Sequence, residues 1–305
     1  MSYKLTKVDL MLFLMVIVWG ANITIIKVAL EHINPMAFNC IRFLLASAAF
    51  ALLYRNVFKD HFSGRELVKL ALLGFLGNTL YQLLFIHGVQ FTLVSHASIL
   101  LGTTPIFTAF LSSILGHEVV SRRLWAGVLL SFFGVVLIVF GRHGLQLGDT
   151  KGLIGDVFIV VASFMWSIYT IYSRDTVSRF SPQHYVVYTV LFGALAMIPF
   201  SISGILHQDW SALGWFEWLS ILYAALLALV FGYSAWYYGV QKLGSTRTSG
   251  YSNLTPVAGL SVGMIFLGER LSPLQWVGAG VIFTGLILNR FAAASVAASE
   301  APVGE

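Results

Sequence analysis

Ten stretches of about 20 mostly apolar residues, parted by short segments carrying charge, Gly, Pro, Asn or Asp, dominate this 305-residue chain. They run approximately over 8–30, 35–54, 67–87, 94–115, 123–141, 153–173, 184–204, 215–238, 246–267 and 273–290. A helix of that length matches a hydrocarbon core about 30 Å thick, and lipid leaves a spanning backbone no hydrogen-bond partners but its own. The chain is therefore expected to be an all-α membrane protein of ten transmembrane helices, with the lipid bilayer as its first partner. Composition agrees: 58% of residues are hydrophobic and only 10% charged, against roughly 25% charged in soluble proteins. The first stretch follows Lys4 and Lys7 but is too long for a secretory signal, and is expected to remain as the first span. After Arg290 the segment AAASVAASEAPVGE is small and polar, so residues 292–305 are expected to form a disordered tail.

Basic residues orient the spans. With the N-terminus in the cytoplasm, Lys4, Lys7, Arg55, Lys59, Arg65, Lys69, Arg122, Arg123, Arg174, Arg179, Lys242, Arg247 and Arg290 fall in inner segments, and only Arg142, Lys151 and Arg270 in outer ones. That asymmetry places both termini in the cytoplasm. It also accounts for the net charge of +5 without a nucleic-acid partner. The single cysteine, Cys40, excludes an internal disulfide and a Cys-rich metal site. The chain shows no HExxH motif, paired buried carboxylates or usable Ser/His arrangement, so neither an enzyme nor a metal or other cofactor is expected.

Shifted against itself by 151 residues, the chain pairs Gly88-Val89-Gln90 with Gly239-Val240-Gln241, Ser98 with Ser249, Thr104-Pro105 with Thr255-Pro256, Glu118 with Glu269 and Trp125 with Trp276. A shift of 147 pairs Asp9 with Asp156, Trp19 with Trp166, Lys27 with Arg174 and Pro35 with Pro182. The unit is five helices used twice, residues 1–147 and 148–291. Five is odd, so the second copy enters the membrane from the opposite side. Such an inverted repeat serves alternating access, in which two symmetry-related gates share one site near the midplane.

WGANITIIKVAL at Trp19, the Pro35-x6-Arg42-Phe43 pattern, SHASILLGTTPIFTAFLSSILGHE at Ser95 and TSGYSNLTPVAGLSVGMIFLGERLS at Thr248 resemble the paired EamA units of the drug/metabolite transporter superfamily over nearly the whole chain. The resemblance implies a ten-helix exporter of amino acids or other small metabolites in the bacterial inner membrane. Its termini would be cytoplasmic and its central cavity lined by helices 1, 3, 4, 6, 8 and 9. In one departure, the first copy reads Gly116-His117-Glu118 where the second has the family's usual Gly268-Glu269-Arg270.

Candidate site residues follow from helical spacing. Asn78, Tyr81, Gln82 and Phe85 share one face of span 3, and the repeat sets Tyr233 and Trp236 against Gln82 and Phe85 on span 8. Lipid offers those amides nothing, so they should face a cavity or another helix. Trp19 with Asn22 on span 1 and Trp166 with Tyr169 on span 6 form a second repeat-related set. Pro105 and Pro256 should kink spans 4 and 9, freeing the carbonyls of Leu101 and Ser252, with Thr104, Thr255, Ser249 and Asn253 near enough to satisfy them. The kinks read equally as gate hinges or as packing features. Arg42, about seven residues into span 2, either attracts a substrate carboxylate or donates to carbonyls at a helix end. Lys27 is expected to snorkel from the outer end of span 1, and Glu118 and Glu269 to cap and brace the turns after spans 4 and 9.

All 13 carboxylates lie near span ends, in loops or in tails, which weakens a proton-exchanging transporter of lipophilic cations. His87 and His96, beside span ends, read as satisfied hydrogen-bonders. The expectation is a monomer exporting a small amphiphilic metabolite, an amino acid above all, whose apolar part stacks on Trp and Tyr while its polar ends meet amides and freed carbonyls. The alternative is efflux of drug-like or cationic aromatic compounds through cation–π contacts.

Overall fold

A computed structural model describes residues 6–115 except 60, residues 150–299 except 244, and 126, 127, 129, 130, 133, 134 and 137 between them. Every element in it is helical: α1 (Lys7–Ala29), α2 (Pro35–Leu53), α3 (Gly64–Phe91), α4 (Val94–Leu101), α5 (Thr104–Ile114), α6 (Thr150–Arg179), α7 (Pro182–His207), α8 (Trp215–Leu243), α9 (Ser245–Tyr251), α10 (Thr255–Leu267) and α11 (Pro273–Ser299). Among the described residues seven helices are long and apolar enough to cross a membrane. They are α1, α2, α3, α4 continued by α5, α6, α7 and α8. Most of the expected fifth span, and the turn with Glu118, lie outside the described residues.

Local chemistry sets the helix ends. Thr6 and Asp9 form a capping box on α1, as Ser63 and Glu66 do on α3, each hydroxyl accepting a backbone N–H while the carboxylate accepts from the cap's own N–H. Asn34 accepts from Met36 and Ala37 ahead of Pro35, the first residue of α2. Gly268 closes α10 at φ 63°, in the left-handed region that favours glycine.

Two expectations are refined by the helices themselves. Pro105 and Pro256 interrupt their spans, but as the starts of new helices rather than as kinks within one. Each stands in the first turn of a new one, α5 or α10, where its missing N–H costs no ladder bond. The chain breaks at Gly102–Thr103 and again over the 3₁₀ turn Ser252–Leu254, positions that coincide under the 151-residue shift. Finally, α11 continues past Arg290 to Ser299, through part of the segment expected to be a disordered tail, because its run of alanines has the highest intrinsic helix propensity.

Two wide π turns interrupt the long helices, and neither contains a proline that would announce it. One spans Phe75–Leu80 inside α3 and the other Tyr223–Phe231 inside α8, again at matching places in the repeat. Such turns take carbonyls off the regular ladder and leave them for other donors.

The two halves pack by exchange. α1 lies on α8 and α10, while its counterpart α6 lies on α3 and on α4 and α5. α2 pairs with its own counterpart α7. One close crossing is between α3 and α7: a Cβ on Gly74 would stand 2.5 Å from the Thr189 carbonyl oxygen, and one on Gly193 would stand 2.4 Å from the Cβ of Asn78. Small residues at such a crossing let backbones touch where no hydrophobic effect drives association. The outer surface is apolar: Leu10, Leu52, Leu72, Leu206, Ile265 and Phe266 are all exposed. A solvated globule would not tolerate that coat; a bilayer requires it.

Candidate functional site

Near the middle of its length, almost every long helix contributes to one central cavity of about 80 Å³. Its walls come from α1 (Trp19, Asn22, Ile23), α2 (Arg42), α3 (Tyr81, Gln82, Phe85), the break between α4 and α5 (Leu101, Thr104), α6 (Trp166), α8 (Ala228, Leu229, Tyr233) and the break before α10 (Ser252, Thr255). Both helix breaks open onto it.

The aromatic wall is built from repeat partners. Trp19 and Trp166, equivalent under the 147-residue shift, meet edge to face with centroids 5.9 Å apart. Tyr233 packs 5.3 Å from Trp166, and Tyr81 5.0 Å from it. Trp19 is held by its Nε1, which donates to the Ala228 carbonyl (2.8 Å) within the π turn of α8. The indole lies over Gly232, where a Cβ would stand 2.3 Å from Nε1. Gln82 and Tyr233, equivalent under the 151-residue shift, bond directly, Gln82 Nε2 donating to the Tyr233 hydroxyl at 3.3 Å.

The polar wall centres on Arg42. Among the described residues it donates to side-chain amides rather than to carbonyls at a helix end. Its Nε and Nη2 donate to Asn39 Oδ1 (2.9 and 2.6 Å), and Nη2 also to Gln82 Oε1 (2.7 Å). Asn39 Nδ2 donates in turn to the Gln82 carbonyl (3.0 Å), so α2 and α3 are tied by a network of neutral amides around one guanidinium. Asn22 Oδ1 and Thr255 Oγ1, also on the cavity wall, find no hydrogen-bond partner among the described residues.

Of the residues singled out by spacing, Trp19, Asn22, Arg42, Tyr81, Gln82, Phe85, Leu101, Trp166 and Tyr233 surround the cavity. Four others stand off its wall. Asn78 donates to the Tyr169 hydroxyl (3.1 Å), and that hydroxyl bonds Thr189 Oγ1 (2.9 Å), which places both residues in the packing between α3, α6 and α7. Trp236 is wholly buried behind Trp19 and Trp166, with centroids 5.5 and 5.9 Å away. Ser249 is buried, and its carbonyl accepts from Ser252 Oγ. The side chain of Asn253 lies outside the described residues. Spacing missed Asn39, one helical turn before Arg42, and it assigned Thr104 and Thr255 to backbone repair rather than to the wall, while Ser252 entered only as the owner of a freed carbonyl. The identity of Thr104 and Thr255 across the repeat was the available signal.

A second polar cluster closes one end of the molecule. Glu269, from the turn after α10, accepts from the backbone N–H groups of Val94 (2.8 Å) and Ser95 (2.7 Å), so it caps α4 in the other half rather than its own neighbouring helix. His96 Nδ1 lies 3.2 Å from both oxygens of Asp156, Thr92 Oγ1 bonds Asp156, and Gln275 bonds the other His96 ring nitrogen. Lys27 does not snorkel. Its Nζ donates to the carbonyls of Val89 (2.9 Å), Gln90 (2.7 Å) and Thr92 (2.7 Å) at the end of α3.

Fold and cavity together define a multi-pass membrane protein of two matched halves. The EamA-like transporter family matches residues 6–140 and 153–291, and the chain belongs to that family. It is 30% identical over 288 residues to an uncharacterised transporter of Archaeoglobus fulgidus, covering 93% of this chain and 97% of that protein. It is also 30% identical to probable amino-acid metabolite efflux pumps of Salmonella typhimurium and Escherichia coli, in each case over 91% of this chain and 93% of the relative. One solved crystal structure superposes with a TM-score of 0.69 at 16% identity, covering 97% of this chain and 99% of that one, a likeness of fold.

Proposed function

We propose that this transporter exports small amphiphilic metabolites, amino acids above all, by exposing the central cavity alternately to the two faces of the membrane. The carrying observation is that residues equivalent in the two repeats, Trp19 with Trp166 and Gln82 with Tyr233, meet on the wall of a single cavity. A site on the axis relating two copies presents the same face to either gate, which is what alternating access needs. The exchange pattern of helix contacts supports ten spans in two inverted five-helix repeats. The names of the Salmonella and Escherichia relatives support amino-acid efflux. The bias in basic residues supports cytoplasmic termini, and the family resemblance supports the inner membrane. That residues of one chain line the cavity supports a monomer as the working unit.

Efflux of a labelled panel of amino acids and related metabolites from loaded proteoliposomes tests the proposal. Saturable efflux of one or more amino acids is expected. Tyr81→Ala, which removes stacking area from the wall at a cost of about 1–3 kcal/mol of binding, should lower the rate most at low substrate while abundance stays near wild type. Fluxes equal to those of empty liposomes across the panel would overturn it.

A further inference from the structure

We propose that Arg42 docks the carboxylate of the transported molecule, so that the cavity accepts amphiphilic zwitterions and anions and rejects organic cations. This rests on the transport reading above and names the substrate chemistry of that same site.

Arg42 is 1% exposed and lies on the cavity wall. Its partners are uncharged: two side-chain amides and the faces of Phe38 and Phe43, 5.4 and 5.6 Å from the guanidinium carbon. No Asp or Glu among the described residues pairs with it. A cation removed from water without a counter-charge is held at a cost of several kcal/mol, which an arriving anion recovers. The amides also fix its orientation. Asn39 and Gln82 take the Nε hydrogen and both Nη2 hydrogens, while Nη1 meets no acceptor among the described residues. On the cavity wall the two Nη1 hydrogens are therefore the ones left for a ligand carboxylate, as charge-assisted donors.

The fold does not demand a cation here. Under the 147-residue shift Arg42 corresponds to Thr189, a neutral residue bonded to Tyr169. The aromatic wall is thus shared between the repeats, whereas the charge belongs to one of them. At the same cavity, Asn22 Oδ1 and Thr255 Oγ1 are unpartnered oxygens able to accept from an ammonium. One donor edge and two acceptors around an aromatic wall match an α-amino acid with a bulky apolar side chain. The aromatic wall alone would also suit a lipophilic cation, but the uncompensated positive charge of Arg42 repels one.

Counterflow of labelled phenylalanine in proteoliposomes, competed by unlabelled phenylalanine, 3-phenylpropionate and 2-phenylethylamine, separates these cases. The wild type should need at least about 100-fold more phenylethylamine than phenylalanine for equal inhibition, as sites built around a polar group reject analogues lacking its partner. Arg42→Lys should retain that order, and Arg42→Gln should collapse the gap to less than about 10-fold. A purely structural arginine would change abundance and leave the competitor order alone. Should Arg42→Gln fail to fold, the wild-type and Arg42→Lys series decide. Phenylethylamine competing as well as phenylalanine in the wild type, or an Arg42→Gln protein that keeps the wild-type gap, overturns the assignment of Arg42 while leaving transport intact. Absence of any counterflow in the wild type sinks the transport reading, and this one with it.

Discussion

Trp236 and Tyr81 look interchangeable in the sequence, each an aromatic on a repeat-related stripe, yet the fold separates their roles. Tyr81 faces the cavity; Trp236 lies wholly buried behind it, in contact with Trp19 and Trp166. Trp236→Ala should therefore leave a void and cost about 3–5 kcal/mol of stability. Low membrane abundance and early thermal aggregation would report it, with an unchanged substrate order in the surviving protein. Normal abundance with an altered substrate order would contradict this placement. Gln82 joins both roles, accepting from Arg42 with one end and donating to Tyr233 with the other. Helical spacing found the face that these residues share but not their depth. A helical face is broad and the cavity is about 80 Å³, so Asn78 and Tyr169, on the same faces as lining residues, fall into the packing beside it.

At the scale of elements, the positions of the seven spans found among the described residues were legible because apolar length is set directly by membrane thickness. Interruptions within the spans were less so. The prolines marked where α4 and α10 meet their neighbours, but the π turns hold no proline and were not foreseen, and Trp19 bonds a carbonyl that one of them makes available. The polar cluster at the α4 end was hidden for another reason: Glu269 and Val94 are 175 positions apart and meet only through the tertiary fold. Glu269→Ala would strand two backbone N–H groups at a cost of about 1–3 kcal/mol, and so should weaken closure at that end. In a Cys40→Ser background, a cysteine at Leu101 should then react faster with an impermeant thiol reagent applied from that face. An unchanged rate would show that the cluster does not act as a gate.

For the whole molecule, the two matched halves were legible as sequence shifts of 147 and 151, and the described helices pack in keeping with those shifts, α1 against α8 and α10 as α6 is against α3, α4 and α5. The central claim is that one cavity on the axis of that exchange opens to each side in turn. Thr104 lines it, in the break between α4 and α5. The direct measurement is labelling of a single cysteine at Thr104, with Cys40 replaced by Ser, using an impermeant thiol reagent on right-side-out and on inside-out vesicles. Each preparation is labelled with and without a saturating transported amino acid. Labelling from both faces, slowed by the amino acid in each, is the expected result. Labelling from one face alone, or at a rate indifferent to the amino acid, would contradict the account.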